Sequence, residues 1–113
     1  METRDHYLKI LKTVVCDYHN WANRVADDVA ENCLIIDAER GSCLWMRVGW
    51  QDDRRIEKMM IFARLKDGKI WIETDETTDG IATDLMRAGI PNTDIVLGFL
   101  PASKRPLSEF AIA

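Results

Sequence analysis

No run of apolar residues in this sequence exceeds a few positions, so nothing in it can cross a bilayer as a helix. The first ten residues carry Glu2, Arg4, Asp5, His6 and Lys9 and do not make a secretory signal. A cytoplasmic location is the expectation. The three cysteines, Cys16, Cys33 and Cys43, are odd in number and lack C-x-x-C spacing, which disfavours both a disulfide framework and a thiolate zinc site. They read as small buried apolar residues. Basic residues are outnumbered, with 15 Lys and Arg against 19 Asp and Glu, and a net charge of -4 is the wrong sign for gripping a phosphate backbone by counterion release. DNA contact is therefore expected only indirectly or within a complex. His6 and His19 are thirteen residues apart, which leaves them about 140° apart around a helix, and neither reads as a metal ligand or general base. There is no G-x-S-x-G elbow, H-E-x-x-H, phosphate-loop pattern or G-x-G-x-x-G. No cofactor and no metal site is expected.

What is present is ordinary globular material. The chain has 113 residues, 47% apolar and 30% charged, with no Pro-, Gly- or Ser-rich linker. One domain over residues 1–113 is expected, able to bury roughly 65% of the surface its unfolded form exposes. Tyr7, Ile10, Leu11, Val14, Tyr18 and Trp21 recur at helical spacing and predict a long first helix from about Arg4 to Asn20. Asn20 and Asn23 are weak helix formers and the next residues are acidic, so Trp21 to Asp28 reads as a connection.

Val29 to Asp37 alternates loosely, and Glu39-Arg40-Gly41-Ser42 supplies turn chemistry. The next run places Leu44, Met46, Val48 and Trp50 on one side and Cys43, Trp45, Arg47 and Gly49 on the other, as in a sheet with one buried face. Ile56 to Leu65 and Ile70-Trp71-Ile72 are apolar on both faces and read as the central strands, joined at Asp67-Gly68 by a two-residue type I′ loop. The four strands should form an antiparallel meander. Thr77-Thr78-Asp79 offers caps for a short second helix carrying Ile81, Leu85 and Ala88, stopped by Gly89 and Pro91. Asn92 or Thr93 opens one further turn, and Ile95 to Phe99 reads as a buried extended return segment. The fold class is α+β.

Four tryptophans are more than so small a core needs. Trp45 points away from Leu44, Met46 and Val48, so either a helix covers that face or a partner does. Arg54-Arg55, beside Trp50, and Lys104-Arg105, after the Phe99 segment, are basic doublets at loops, placed to reach a phosphate or carboxylate if they are not merely solvated. Trp45, Trp50, Arg54, Arg55, Lys104 and Arg105 are thus the candidate residues for binding a partner or nucleic acid. A rival reading takes Asp67-x-Lys69 with the acids from Glu73 to Asp79 as a metal-dependent phosphoryl-transfer centre. The Asp-Gly turn already accounts for Asp67, and no catalytic residue is expected.

The phrases V-G-W-Q-x-x-R-R-I (Val48 to Ile56), K-D-G-K-I-W-I (Lys66 to Ile72), G-I-A (Gly80 to Ala82) and G-I-P-N-T-D-I-V-L-G-F-L-P (Gly89 to Pro101) stand in order, followed by K-R and F-A-I-A. This wording resembles the XisI family, the fdxN element excision controlling factors of cyanobacteria. The likeness spans Val29 to Ala113, with the first helix similar by pattern, and departs at Trp21 to Ala30 and at Leu100, where a polar residue such as His is expected. It implies a regulator and not a recombinase: a protein that acts with a XisH-like, nuclease-fold partner in removal of a DNA element during heterocyst differentiation. Self-association and an antitoxin-like restraint of that partner are further implications.

Overall fold

The computed structural model describes residues 2–25 and 29–113. Helix α1 (Glu2–Arg24) lies across one face of a sheet built from β1 (Ala30–Asp37), β2 (Ser42–Gln51), β3 (Arg54–Lys66), β4 (Lys69–Asp75) and β5 (Ile95–Leu97). A short helix, α2 (Ile81–Arg87), joins the last two strands, and a 3₁₀ turn over Ala102–Leu107 leads into the chain end. The strand order follows the sequence, antiparallel for β1 to β4 and parallel for β4 with β5.

The helix forms because its apolar residues fall on one stripe. Tyr7, Leu11, Val14, Val15 and Ala22 are buried, and Leu11 and Val15 are wholly shielded. It runs four residues past the expected end at Asn20. Local propensity disfavours that extension, but the tertiary structure repays it: Ala22 packs in the core, and the Asn23 side-chain oxygen accepts a bond of 3.1 Å from the Asn32 side-chain amide on β1. The expected connection from Trp21 to Asp28 is corrected accordingly, and its residues 26–28 lie outside the described residues.

The hairpins obey their turn chemistry. Asp67 and Gly68 both have positive φ, 52° and 78°, as a type I′ loop requires. At the β1–β2 turn the Asp37 carboxylate accepts the Arg40 backbone N–H at 3.0 Å, and its carbonyl accepts the Gly41 N–H at 2.8 Å. Those contacts, the Arg40 backbone first and its guanidinium next, hold the Asp37 carboxyl below its ordinary range.

The expectation of four strands falls one short. Ile95–Leu97 is not merely an extended return but a fifth strand beside β4, with Trp71 level with Val96. A parallel edge demands cover on both faces, and Ile95 and Val96 are fully buried. The open edge of β5 is occupied in turn, since the Ala111 N–H donates to the Ile95 carbonyl at 2.9 Å. Three residues are too few for any periodicity to announce a strand.

Helix α2 is not capped by Thr77, Thr78 or Asp79. The Asp75 carboxylate reaches forward from the end of β4 and accepts the Ile81 N–H at 2.7 Å, the Thr77 N–H at 3.0 Å and the Thr77 hydroxyl at 2.6 Å. Thr77 contributes indirectly, accepting the Gly80 N–H at 3.1 Å. The helix ends as expected: Ile90 N–H bonds back to Leu85 and Gly89 N–H to Met86, with Gly89 at φ 106°.

The core lies between α1, α2 and the inner sheet face, around Leu11, Ile61, Ile70, Ile72, Ile81 and Leu85. Gly49 marks a tight spot on β2, because a β-carbon there would stand 2.1 Å from the Val29 carbonyl oxygen. Gly49→Ala should therefore destabilise the fold by about 2 kcal/mol or more, since backbone must move. Gly68→Ala, strained only by its φ, should lose about 1 kcal/mol. Urea unfolding of both variants checks the order, and equal losses would show that the β1–β2 approach is slack.

Candidate binding surfaces

Alternation along the strands divides the candidate residues between the two sheet faces. Trp45 falls on the helix side, level with Leu34 on β1 and Ile61 on β3. It is 3% exposed, and its indole N–H donates to the Asn32 side-chain oxygen at 3.0 Å. A helix, not a partner, covers that face, so Trp45 is withdrawn as an exposed contact residue.

Among the described residues the opposite face has no helix over it. Ile35, Leu44 and Phe62 form one row across β1, β2 and β3, and Cys33, Met46 and Met59 form the next. Ile35 is 53% exposed, Met59 45% and Trp50 57%, so a band of apolar side chains meets solvent. Trp50 closes the band at the far end of β2, level with Arg55, whose guanidinium lies 5.3 Å from the indole centroid. Arg54 sits beside them, exposed at the hairpin.

Lys104 and Arg105 lie at the other end of the molecule. The Arg105 guanidinium rests 5.1 Å from the centre of the Trp71 ring, with Lys66 Nζ at 4.5 Å, and its Nε donates to the Leu100 carbonyl at 3.1 Å. Arg105 thus fastens the C-terminal segment onto the sheet. Lys104 is exposed beside it. Trp71 is level with Arg64, nine residues along β3 from Arg55, or about 30 Å at strand rise. The two basic doublets therefore do not merge into one patch.

Nor does the structure assemble the phosphoryl-transfer constellation. Asp67 and Lys69 stand at the β3–β4 turn, while Asp75 ends the same strand six residues on, about 20 Å away. Asp75 is engaged at the start of α2, and Glu73 pairs with Arg64 at 2.8 Å. Among the described residues no three His, Cys, Asp or Glu side chains converge as a metal site would require.

One feature escaped the linear reading. A groove of about 530 Å³ opens between α1 and the loop from β4 to α2, floored by Trp45 and Met60. Met60 reaches it because a bulge sets this residue outside the β2–β3 register, where Trp45 is level with Ile61 and Met46 with Met59. Asp17, Glu76, Asp79 and Asp84 stand around it. Trp21, which the helical stripe assigned to the packed face, is 58% exposed at the rim. Asp84 is held from below, accepting the Tyr18 hydroxyl at 2.5 Å. The sole linear sign was the density of acids from Glu73 to Asp79, which reads equally well as a solvated rim.

Tyr18 has its phenol pushed up to about 12, by burial first and by the Asp84 bond next. Tyr7 is also raised to about 12, chiefly by donating to the Asp94 carboxylate. Burial pushes the Cys43 thiol up to about 11, so that sulfur is an inert core atom.

Two packed layers, with the outer face of β1 to β3 bare among the described residues and an acid-rimmed aromatic groove beside α1, define a small α+β protein whose distinctive features are surfaces. The comparisons agree with the architecture. The family model described as XisI protein matches residues 1–112, and the chain belongs to that family. The crystal structure of the fdxN element excision controlling factor XisI from Anabaena variabilis ATCC 29413 superposes with a TM-score of 0.89 at 40% identity, covering 98% of this chain and 99% of that one. A XisI-like protein from the same organism superposes with a TM-score of 0.89 at 35% identity, over 97% and 99% of the two chains. The chain matches no curated protein. The family match takes in the first helix, which the sequence phrases left to pattern alone.

The raised phenols set an alkaline limit on stability. Both tyrosines stay protonated in the folded chain up to about 12 while the unfolded chain ionises near the ordinary phenol value of 10.0, so unfolded protein binds fewer protons in between. Stability should be intact below that lower value and fall as pH rises through the window. Absorbance of phenolate during alkaline titration, beside chemical unfolding at each pH, checks this. Tyr18→Phe should flatten part of the decline, and two phenols ionising near 10 in folded protein would refute the assignment.

Proposed function

We propose that this protein is a non-catalytic regulator of the excision of a DNA element, acting in the cyanobacterial cytoplasm by binding another protein. The observation that carries this reading is the likeness, at 40% identity along 98% of the chain, to a protein described as an excision controlling factor. Its partner in this reading is a XisH-like protein of nuclease fold, and the setting is heterocyst differentiation. A net charge of -4 supports contact with DNA through that partner and not alone. Restraint of the partner, in the manner of an antitoxin, is the form of control that a complex with a nuclease-fold protein would permit.

Self-association belongs to the same reading. The bare sheet face supports it, because a sheet is normally covered on its apolar side and a second copy presents the same band. Three strands about 4.8 Å apart, over some five rows of side chains, make a face of about 500 Å². Two such faces would bury about 1,000 Å², near the lower bound of specific interfaces. Trp50, Arg54 and Arg55 form the end of that face.

Co-expression with the XisH-like product of a neighbouring gene should yield a complex that survives size-exclusion chromatography, and its absence under all conditions would count decisively against the partner. Light scattering on the protein alone should report more than one copy. Met46→Glu with Met59→Glu should reduce it to one while thermal unfolding remains cooperative, and a wild type that is already monomeric would remove self-association. Cleavage of labelled DNA with Mg²⁺, lost in Asp67→Ala, would instead favour an enzyme.

A further inference from the structure

The groove beside α1 has a composition that selects its occupant. Its charged lining is acidic throughout: Asp17 from the helix, Glu76 and Asp79 from the loop after β4, and Asp84 from α2. Asp84 is engaged with the Tyr18 hydroxyl at 2.5 Å and stands 3.9 Å from Arg87. Asp17, Glu76 and Asp79 have no basic partner among the described residues. Between these carboxylates the wall is aromatic and soft, with Trp21 exposed at the rim and Met60 and Trp45 deeper. An indole face and unpaired carboxylates attract the same thing, a cation with apolar flesh around it.

We infer that this groove receives a segment of a partner protein bearing an arginine or lysine beside an aliphatic residue. The cation lies against the Trp21 ring within reach of Glu76 and Asp79, and the aliphatic neighbour rests on Met60. Arginine suits the site better, since its planar guanidinium stacks on an indole and bonds a carboxylate in one geometry. A bare metal ion does not fit, because the carboxylates do not converge into a ligand set. A nucleic acid has the wrong sign. A second copy is disfavoured too: the groove and the exposed Arg54 and Arg55 are different surfaces, so such a contact would be head-to-tail and would propagate without closing. The inference rests on the reading that this protein works by holding another protein, and it names where and by what chemistry.

The probe is an acetylated, amidated Leu-Arg-Leu-Arg peptide, with its Leu-Gln-Leu-Gln counterpart as control, titrated into isotope-labelled full-length protein and followed by NMR. The Arg peptide should shift the Trp21 indole N–H and the backbone signals of Thr77, Thr78 and Asp79. Glu76→Lys combined with Asp79→Lys should weaken binding by about tenfold or more, and added salt should weaken it in the wild type. Both acids are exposed, so an unchanged melting curve will separate lost binding from lost fold. Equal shifts from the Gln peptide, shifts away from the groove, or none would overturn the inference. The double reversal in the co-expressed complex then separates the two ideas. A complex that survives it leaves the partner standing and discards the groove. Failure of any complex while the peptide still binds discards the XisH-like partner and keeps the groove.

Discussion

The seam between α1 and the inner face of the sheet is the constraint on which everything else in this molecule hangs. Leu11 and Val15 on the helix, with Cys43 and Ile61 on neighbouring strands, are fully excluded from water. Full burial of such a side chain stabilises by roughly 1.5 to 3 kcal/mol, so this seam outweighs the exposed ion pairs, each worth about 1 kcal/mol or less. Because Trp45 and Leu34 belong to the same seam, the seam decides which sheet face is inside. Once that is decided, strand alternation sends Ile35, Leu44, Met46 and Met59 outward.

The two surfaces of interest are consequences of that arrangement and not additions to it. Among the described residues both helices lie on one side of the sheet, and the outer side of β1 to β3 stays bare. The long helix runs on to Arg24, its end tied to β1 through Asn23 and Asn32, and Trp21 on its other side is left 58% exposed. The β4–α2 loop approaches from the other side because Asp75 binds the Ile81 N–H and pulls the chain into a sharp corner. The groove is the space left between the end of α1 and that corner. Its acids come from three separate elements: Asp17 from α1, Glu76 and Asp79 from the loop after β4, and Asp84 from α2.

Much of the fold was legible in the linear chain, for identifiable reasons. The Asp67-Gly68 loop is encoded locally, since few residues besides Gly and Asp tolerate positive φ. The first helix is written in its stripe, and α2 stops where Gly89 permits a left-handed turn. The misreadings share a cause as well. Asn20 and Asn23 argued locally for an end to α1, yet a bond from Asn32 and the burial of Ala22 overrode them. Thr77 to Asp79 were plausible caps, but the acceptor came from Asp75 on the preceding strand. Trp45 and Trp50 are equally hydrophobic and only five residues apart, yet one is 3% exposed and the other 57%.

The amino-acid sequence by itself determined the α+β class, the hairpins, the extents of β2 and β3 to within about two residues, and the family wording, because short-range sterics and periodicity are properties of neighbouring residues. Tertiary structure alone decided which sheet face is covered, where Ile95–Leu97 pairs, and that Asp17, Trp21 and Asp79 share one groove. Those outcomes depend on which distant surfaces exclude water together, and a strand's alternation looks the same from either side until a helix lies down on one of them.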